Sequence, residues 1–254
     1  MSTGQALSIA DRIDRVKRAL LGRSEPPPVA KDQGPQPPHA VAKEQSPEPL
    51  PAEYMHLWDG KRLTHDMTRS RIGTWVKVLT PYRSAVHSIL EIGSWEGQSA
   101  TFWLDFFPDC RLTCLDHFQG SPKEHHGTEF ASRLPGVEER FDLNMRPYAN
   151  RVEKIKSHST PGLNALKMQK RKFDLIYVDG NHERDEVMLD SILSWQCLSV
   201  GGIIIWDDYD MGGEDPDKPR SAIDMFIALQ RDEITVLHKS SEQVFARRLE
   251  RRDT

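Results

Sequence analysis

The stretch from Phe173 to Tyr209, FDLIYVDGNHERDEVMLDSILSWQCLSVGGIIIWDDY, constrains the fold more than any other part of the chain. It opens on apolar and aromatic residues broken only by Asp174 and reaches Asp179. A helix-length segment and Gly201-Gly202 follow, and then Ile203-Ile204-Ile205-Trp206 delivers Asp207 and Asp208. Two short runs rich in Ile, Val and Tyr around a helix predict a β-α-β unit with parallel strands. Parallel strands end at the same edge, so Asp179, Asp207 and Asp208 are expected close together. Ligands of open α/β sheets bind at that carboxyl edge. Three carboxylates there repel one another unless protons or a cation compensate them, and a hard divalent cation is the simplest compensation. The competing reading is an exposed turn pair at Asp207-Asp208 and a strand-end cap at Asp179.

The rest of the chain repeats the alternation. The pattern predicts a helix over 63–80, a strand over 84–92, a helix over 97–106 and a strand over 111–116. After an irregular stretch to 136 come a helix over 137–149, a strand over 152–157 and a helix over 161–169. Strand 173–179, helix 184–198 and strand 202–206 make the central unit, followed by helix 219–230 and closing strands near 233–238 and 242–248. Five strands alternating with helices before a final pair predict a Rossmann-like doubly wound α/β sheet of about seven strands, the last antiparallel. Residues 5–22 have the spacing of a short amphipathic helix. Residues 24–51 hold nine of the chain's seventeen prolines and read as a disordered linker, because proline supplies no ladder donor. The folded domain is therefore expected over 52–254, with 1–51 as an arm.

ILEIGSWEGQSA, from Ile89 to Ala100, places Gly93 and Gly97 in a tight turn between a strand and a helix. Glycines there admit positive φ and let a ligand approach the backbone. Trp95 stands where the middle glycine of a GxGxxG fingerprint belongs, and its Cβ crowds a pyrophosphate, which argues against a dinucleotide. Asp116 ends the second predicted strand, placed either to grip both hydroxyls of a ribose or to serve as a turn aspartate.

Together, E-x-G-x-x-x-G-x-S, an acid after strand two, D-x-x-H after strand four and DD after strand five resemble the class I S-adenosylmethionine-dependent methyltransferases. Within that group the chain looks like the divalent-metal-dependent O-methyltransferases: the catechol-type enzymes and, more closely, those that methylate sugars of macrolides. The resemblance covers roughly residues 65–248 and leaves 1–60 without a counterpart. It implies that S-adenosyl-L-methionine is held by Glu91, Gly93, Ser94, Gly97, Ser99, Asp116 and Ser159, with Ser157-His158-Ser159 lining the adenine. It implies Mg2+ or another divalent cation on Asp179, Asp207 and Asp208, and His182 as general base. Catechol-type enzymes carry lysine at that offset, whereas the macrolide-sugar enzymes tend to have histidine, whose ordinary pKa of about 6.5 suits a base near neutral pH. Helix-cap readings of Ser159 and His182 stand beside these.

The expected reaction is methyl transfer to a hydroxyl of a sugar or natural-product glycoside. A catechol acceptor or a hydroxylase-associated relative is the alternative within the fold. A non-catalytic cofactor-binding or interaction module and a metal-dependent hydrolase are the rivals from other classes. The net charge of −4 gives no reason to expect a nucleic-acid partner. No apolar run reaches the ~18 residues of a membrane span, and the N-terminus has no secretory pattern. The expectation is a cytoplasmic protein with a small-molecule acceptor, reduced cysteines at 110, 114 and 197, and room for homo-oligomers. The stretch from 118 to 136 is a candidate lid, Tyr209 a candidate pocket rim, and the closing RRLERR reads as a solvated basic tail.

Overall fold

In a computed structural model that describes residues 48–121 and 127–251, a seven-stranded sheet runs in the order β3-β2-β1-β4-β5-β7-β6. The strands are β1 (Ser88–Ile92), β2 (Arg111–Asp116), β3 (Val152–Lys156), β4 (Phe173–Val178), β5 (Leu198–Trp206), β6 (Ile234–Lys239) and β7 (Val244–Arg248). The first five are mutually parallel, and β7 runs antiparallel to both β5 and β6. The helices are α1 (Ile72–Leu79), α2 (Gln98–Phe106), α3 (Val137–Met145), α4 (Ser159–Met168), α5 (Arg184–Cys197) and α6 (Pro219–Leu229). This is the expected Rossmann-like doubly wound sheet. Residues 1–47 of the proposed arm and 122–126 of the candidate lid lie outside the described residues, whereas the end of the arm joins the domain earlier than expected, Glu48 pairing with Lys77 and Leu50 packing on the core. None of the described helices is long and apolar enough to cross a membrane.

The central strands are apolar at nearly every position because both of their faces are covered. Ile89, Leu175, Tyr177, Ile203 and Ile205 join one buried cluster with Trp75 of α1 and Trp103 of α2. Their neighbours Leu90, Ile92, Ile176, Val178, Ile204 and Trp206 join a second, with Leu163 of α4, Trp195 of α5 and Phe226 of α6. Each buried tryptophan indole N–H among Trp58, Trp75, Trp103 and Trp206 finds an acceptor, which lets these amphipathic rings sit inside. Trp75 and Trp103 stack with centroids 4.2 Å apart, and Tyr177 meets both edge-on.

Three sequence expectations change here. The helix expected over 63–80 is confined to α1, preceded by a 3-10 turn at Arg69–Arg71. The N–H groups of Thr64 and Met67 go to the side chains of Glu96 and Gln98, and that of Arg69 to Asp66, so they do not reach helical carbonyls. The helix expected to end at 149 stops at Met145 and tightens to a 3-10 turn at Arg146–Tyr148, where Pro147 supplies no N–H. The basic tail is part of the sheet: Arg247 and Arg248 lie in β7, and Arg248 Nη1 donates to the carbonyls of Trp195 and Leu198 at 2.8 Å each.

The strand order reverses direction at β1, which lies between β2 and β4, so the crevice outside the carboxyl ends of β1 and β4 is the topological switch point. Gly93 sits at its centre with φ +84°, and a Cβ added there meets the backbone oxygen of Asp179 at 1.8 Å. Backbone on both sides leaves no flexible atom to give way. Gly93→Ala is expected to lower the urea-unfolding free energy by ~3 kcal/mol or more, in the range reserved for strained backbone and overpacking. A variant as stable as the parent would show that the two turns are not in contact.

Candidate active site

The carboxyl edge carries two halves, a glycine turn after β1 and an acidic group after β4 and β5. In the turn, Trp95 and Gly97 both have positive φ, +46° and +79°. The strained Trp95 is held by its backbone N–H, which donates to Asp116 Oδ2 at 2.8 Å, while Asp116 Oδ1 accepts the N–H of Phe118 at 2.6 Å. Asp116 thus joins the ends of β1 and β2, and each oxygen keeps a lone pair for a ligand hydroxyl. Ser94 and Ser99 are buried beside Glu91, itself fully buried. Burial pushes the Glu91 carboxyl up to about 6 against the pull of Ser99 and the Trp103 indole, 3.0 Å away. Glu91 therefore shapes the turn from beneath. Ser159 opens α4, with His158 in the N-cap position, and lies against the buried Asp190.

On the acidic side, one atom from each of Asp179, His182 and Asp208 lies within 4.8 Å of the other two. His182 Nε2 is 3.2 Å from Asp208 Oδ2 and 3.7 Å from Asp179 Oδ1. Asp207, expected among them, is not in that group and is instead held by four donors. Its Oδ1 accepts from Arg71 Nε at 2.8 Å, Gln243 Nε2 at 3.0 Å and the Asp208 N–H at 2.9 Å, and its Oδ2 accepts from Tyr177 OH at 2.5 Å. Burial, with Asp207 next, pushes the Asp179 carboxyl up to about 8. Burial works the same way on Asp208, but His182 and Arg71 outweigh it and hold that carboxyl below its ordinary range. Adjacent acids at one edge thus differ in readiness to ionise, and the crowding at Asp179 is of the kind that a cation relieves.

Tyr209 does not form a pocket rim: it is buried in the second core cluster, its hydroxyl 2.9 Å from Asp224 Oδ2. Arg71, Gln243 and Tyr177 are site residues that motif reading passed over. Arg71 and Gln243 lie 136 and 36 positions from Asp207, and no spacing rule connects them. For Tyr177 the signal was present, because strand alternation puts it on the face of Asp179, two residues on.

Residues 90–209 match the family described as a methyltransferase domain. That segment is similar to a methyltransferase domain. Among solved structures, MycE methyltransferase from the mycinamycin biosynthetic pathway, in complex with Mg, SAH and mycinamycin VI, superposes with TM-score 0.54 at 17% identity, over 80% of this chain and 54% of that one. The chain therefore spans about half the length of MycE. The O-methyltransferase TomG from Streptomyces achromogenes, in complex with SAM, gives 0.53 at 16% identity, over 70% and 80%. SAH-bound methyltransferase PaMTH1 from Podospora anserina gives 0.54 at 20% identity, over 98% and 100%. At these identities the likeness is one of fold. No curated protein matches the sequence.

The matched segment, 90–209, contains both halves of this edge. A carboxyl near pKa 8 in the fold and about 3.9 in the unfolded chain binds its proton more tightly when folded. The stability from that proton is full below about pH 4 and is lost as pH rises through about 8. In EDTA, the melting temperature of the parent is expected to fall relative to Asp179→Asn between pH 5 and 8. Parallel curves would show that Asp179 titrates normally.

Proposed function

We propose that the protein is an S-adenosyl-L-methionine-dependent O-methyltransferase that uses a divalent cation, Mg2+ or a related ion, to methylate a sugar hydroxyl of a natural-product glycoside. One observation carries the reading: the glycine turn of the matched segment abuts the acidic group, Gly93 against the backbone of Asp179. A cofactor held by the turn and an acceptor held at the acids would then be neighbours. Two proteins of similar fold support this, MycE having been crystallised with Mg, SAH and mycinamycin VI and TomG with SAM.

In this reading Gly93, Ser94, Gly97 and Ser99 hold the methionine part near the N-terminus of α2, where backbone N–H groups point outward to a carboxylate. Glu91 fixes the two serines from below. Asp116 accepts ribose hydroxyls, and Ser159, backed by Asp190, faces the adenine. Asp179 and Asp208 fit a hard cation: both are carboxylates at one edge, each brings an oxygen within 4.8 Å of the other, and one is crowded enough to resist ionising. A bound cation would supply Lewis-acid polarisation of the acceptor hydroxyl. His182 Nε2 takes the hydroxyl proton, while the oxygen forms its bond to the methyl carbon and the carbon–sulfur bond breaks with its electrons left on sulfur.

Calorimetry on the full chain is expected to detect S-adenosylhomocysteine binding; no binding would sink the methyltransferase reading. With labelled methyl donor, transfer to glycosylated acceptors is expected to disappear in EDTA and return with Mg2+, and undiminished turnover in EDTA would remove the cation alone. His182→Ala is expected to lower kcat ~10²- to 10⁴-fold with cofactor affinity kept. A near-parental kcat would take His182 out of the mechanism.

A further inference from the structure

Arg71 is absent from every motif at this edge, yet it bridges two of its acids. It belongs to the 3-10 turn Arg69–Arg71 before α1. Its Nε donates to Asp207 Oδ1 at 2.8 Å, its Nη2 to Asp208 Oδ1 at 2.9 Å and its Nη1 to the Met67 carbonyl at 3.0 Å. All three nitrogens are engaged and the side chain is 15% exposed, so the guanidinium is fixed in place. The two acids it bridges differ. Asp207 is 5% exposed and accepts four hydrogen bonds, the one from Gln243 held by that residue's own contact with the Trp75 indole at 2.7 Å. Asp208 is 28% exposed and keeps Oδ2 toward His182.

Resting on the cation reading above, we propose that Arg71 is the built-in counter-charge of the acidic edge. It pins Asp207 inward as an anchor and leaves Asp179 and Asp208 as the carboxylates that meet an added divalent ion. Turning Asp207 away from its four donors toward such an ion weakens its bonds from Arg71, Gln243 and Tyr177 while buried, where an unmade bond to a charged group is costly. A fixed positive charge beside the ligands also opposes a second cation, so the site's affinity is held down by Arg71. Arginine suits this place because its planar fork serves two carboxylates at once, which a lysine ammonium on a single stem does not.

Mn2+ titration of the full chain, followed by the electron paramagnetic resonance of free Mn2+, tests the assignment. Arg71→Met is expected to bind Mn2+ roughly tenfold tighter or more, through loss of the opposing charge. Adding Asp207→Asn to that variant is expected to return the affinity toward the parental value. In the parent background, Asp207→Asn is expected to change Mn2+ affinity by less than about threefold, and Asp179→Asn or Asp208→Asn to weaken it more than about tenfold. Arg71→Met binding no tighter than the parent, or Asp207→Asn weakening Mn2+ as much as Asp208→Asn, overturns the proposal. If Arg71→Met does not fold, the comparison of Asp207→Asn with Asp208→Asn decides by itself. A parent that binds no Mn2+ refutes the cation reading; a double-mutant cycle of Arg71→Lys and Asp207→Asn on melting temperature in EDTA then judges the anchor. Non-additive losses support it, and additive ones overturn it.

Discussion

Gly93 is pressed against the end of β4 so closely that no side chain fits between them. That contact sets the geometry of everything else at the carboxyl edge. It fixes the turn that precedes α2, and with it Ser94, Ser99 and the N-terminus of that helix, at one distance from Asp179. The strand register carries the constraint onward. Ile92 pairs with both Leu115 and Val178, and Val178 with Trp206, so Asp116, Asp179 and Asp207 each follow the same rung of the sheet. A site assembled this way depends on the stiffness of central strands covered on both faces, rather than on loops.

Charge at the edge is then distributed by burial. Three aspartates close together cannot all be ionised without compensation. The structure answers with one guanidinium, one imidazole and one carboxyl pushed up to about 8. Breaking a pair as buried as Arg71 and Asp207 by removing one partner costs ~3–5 kcal/mol in comparable proteins. That pair also ties the segment before α1 to β5, across the face where Trp75, Trp103 and Tyr177 pack. The same residues that balance the charge therefore close one layer of the core.

Nearly all of the architecture was legible in the chain because it rests on local signals. Strand ends at Asp116 and Trp206, the start of α2 near Gln98 and the whole of α5 follow from periodicity and glycine placement. Two of the failures share one cause. In residues 63–68 the backbone donors go to Glu96, Gln98 and Asp66, and in β7 the arginines of an apparent tail pair with Trp195 and Leu198. Both depend on partners far along the chain, which no window of sequence contains. Arg71 was missed for the same reason.

The different fates of Asp207 and Asp208 are another matter, because alternation already contains half of the answer. Ile203 and Ile205 face the layer of Trp75 and Tyr177, so Asp207 continues inward on that face. Asp208 leaves the alternation: its φ is +49°, a left-handed conformation that aspartate tolerates better than most residues. The kink turns Asp208 out of the strand and toward His182, while its own N–H folds back onto Asp207 Oδ1. Two consecutive acids thus acquire opposite surroundings from one backbone torsion. A reading by motif treats them as a pair, whereas a reading by strand face separates an anchor from a group that meets solvent.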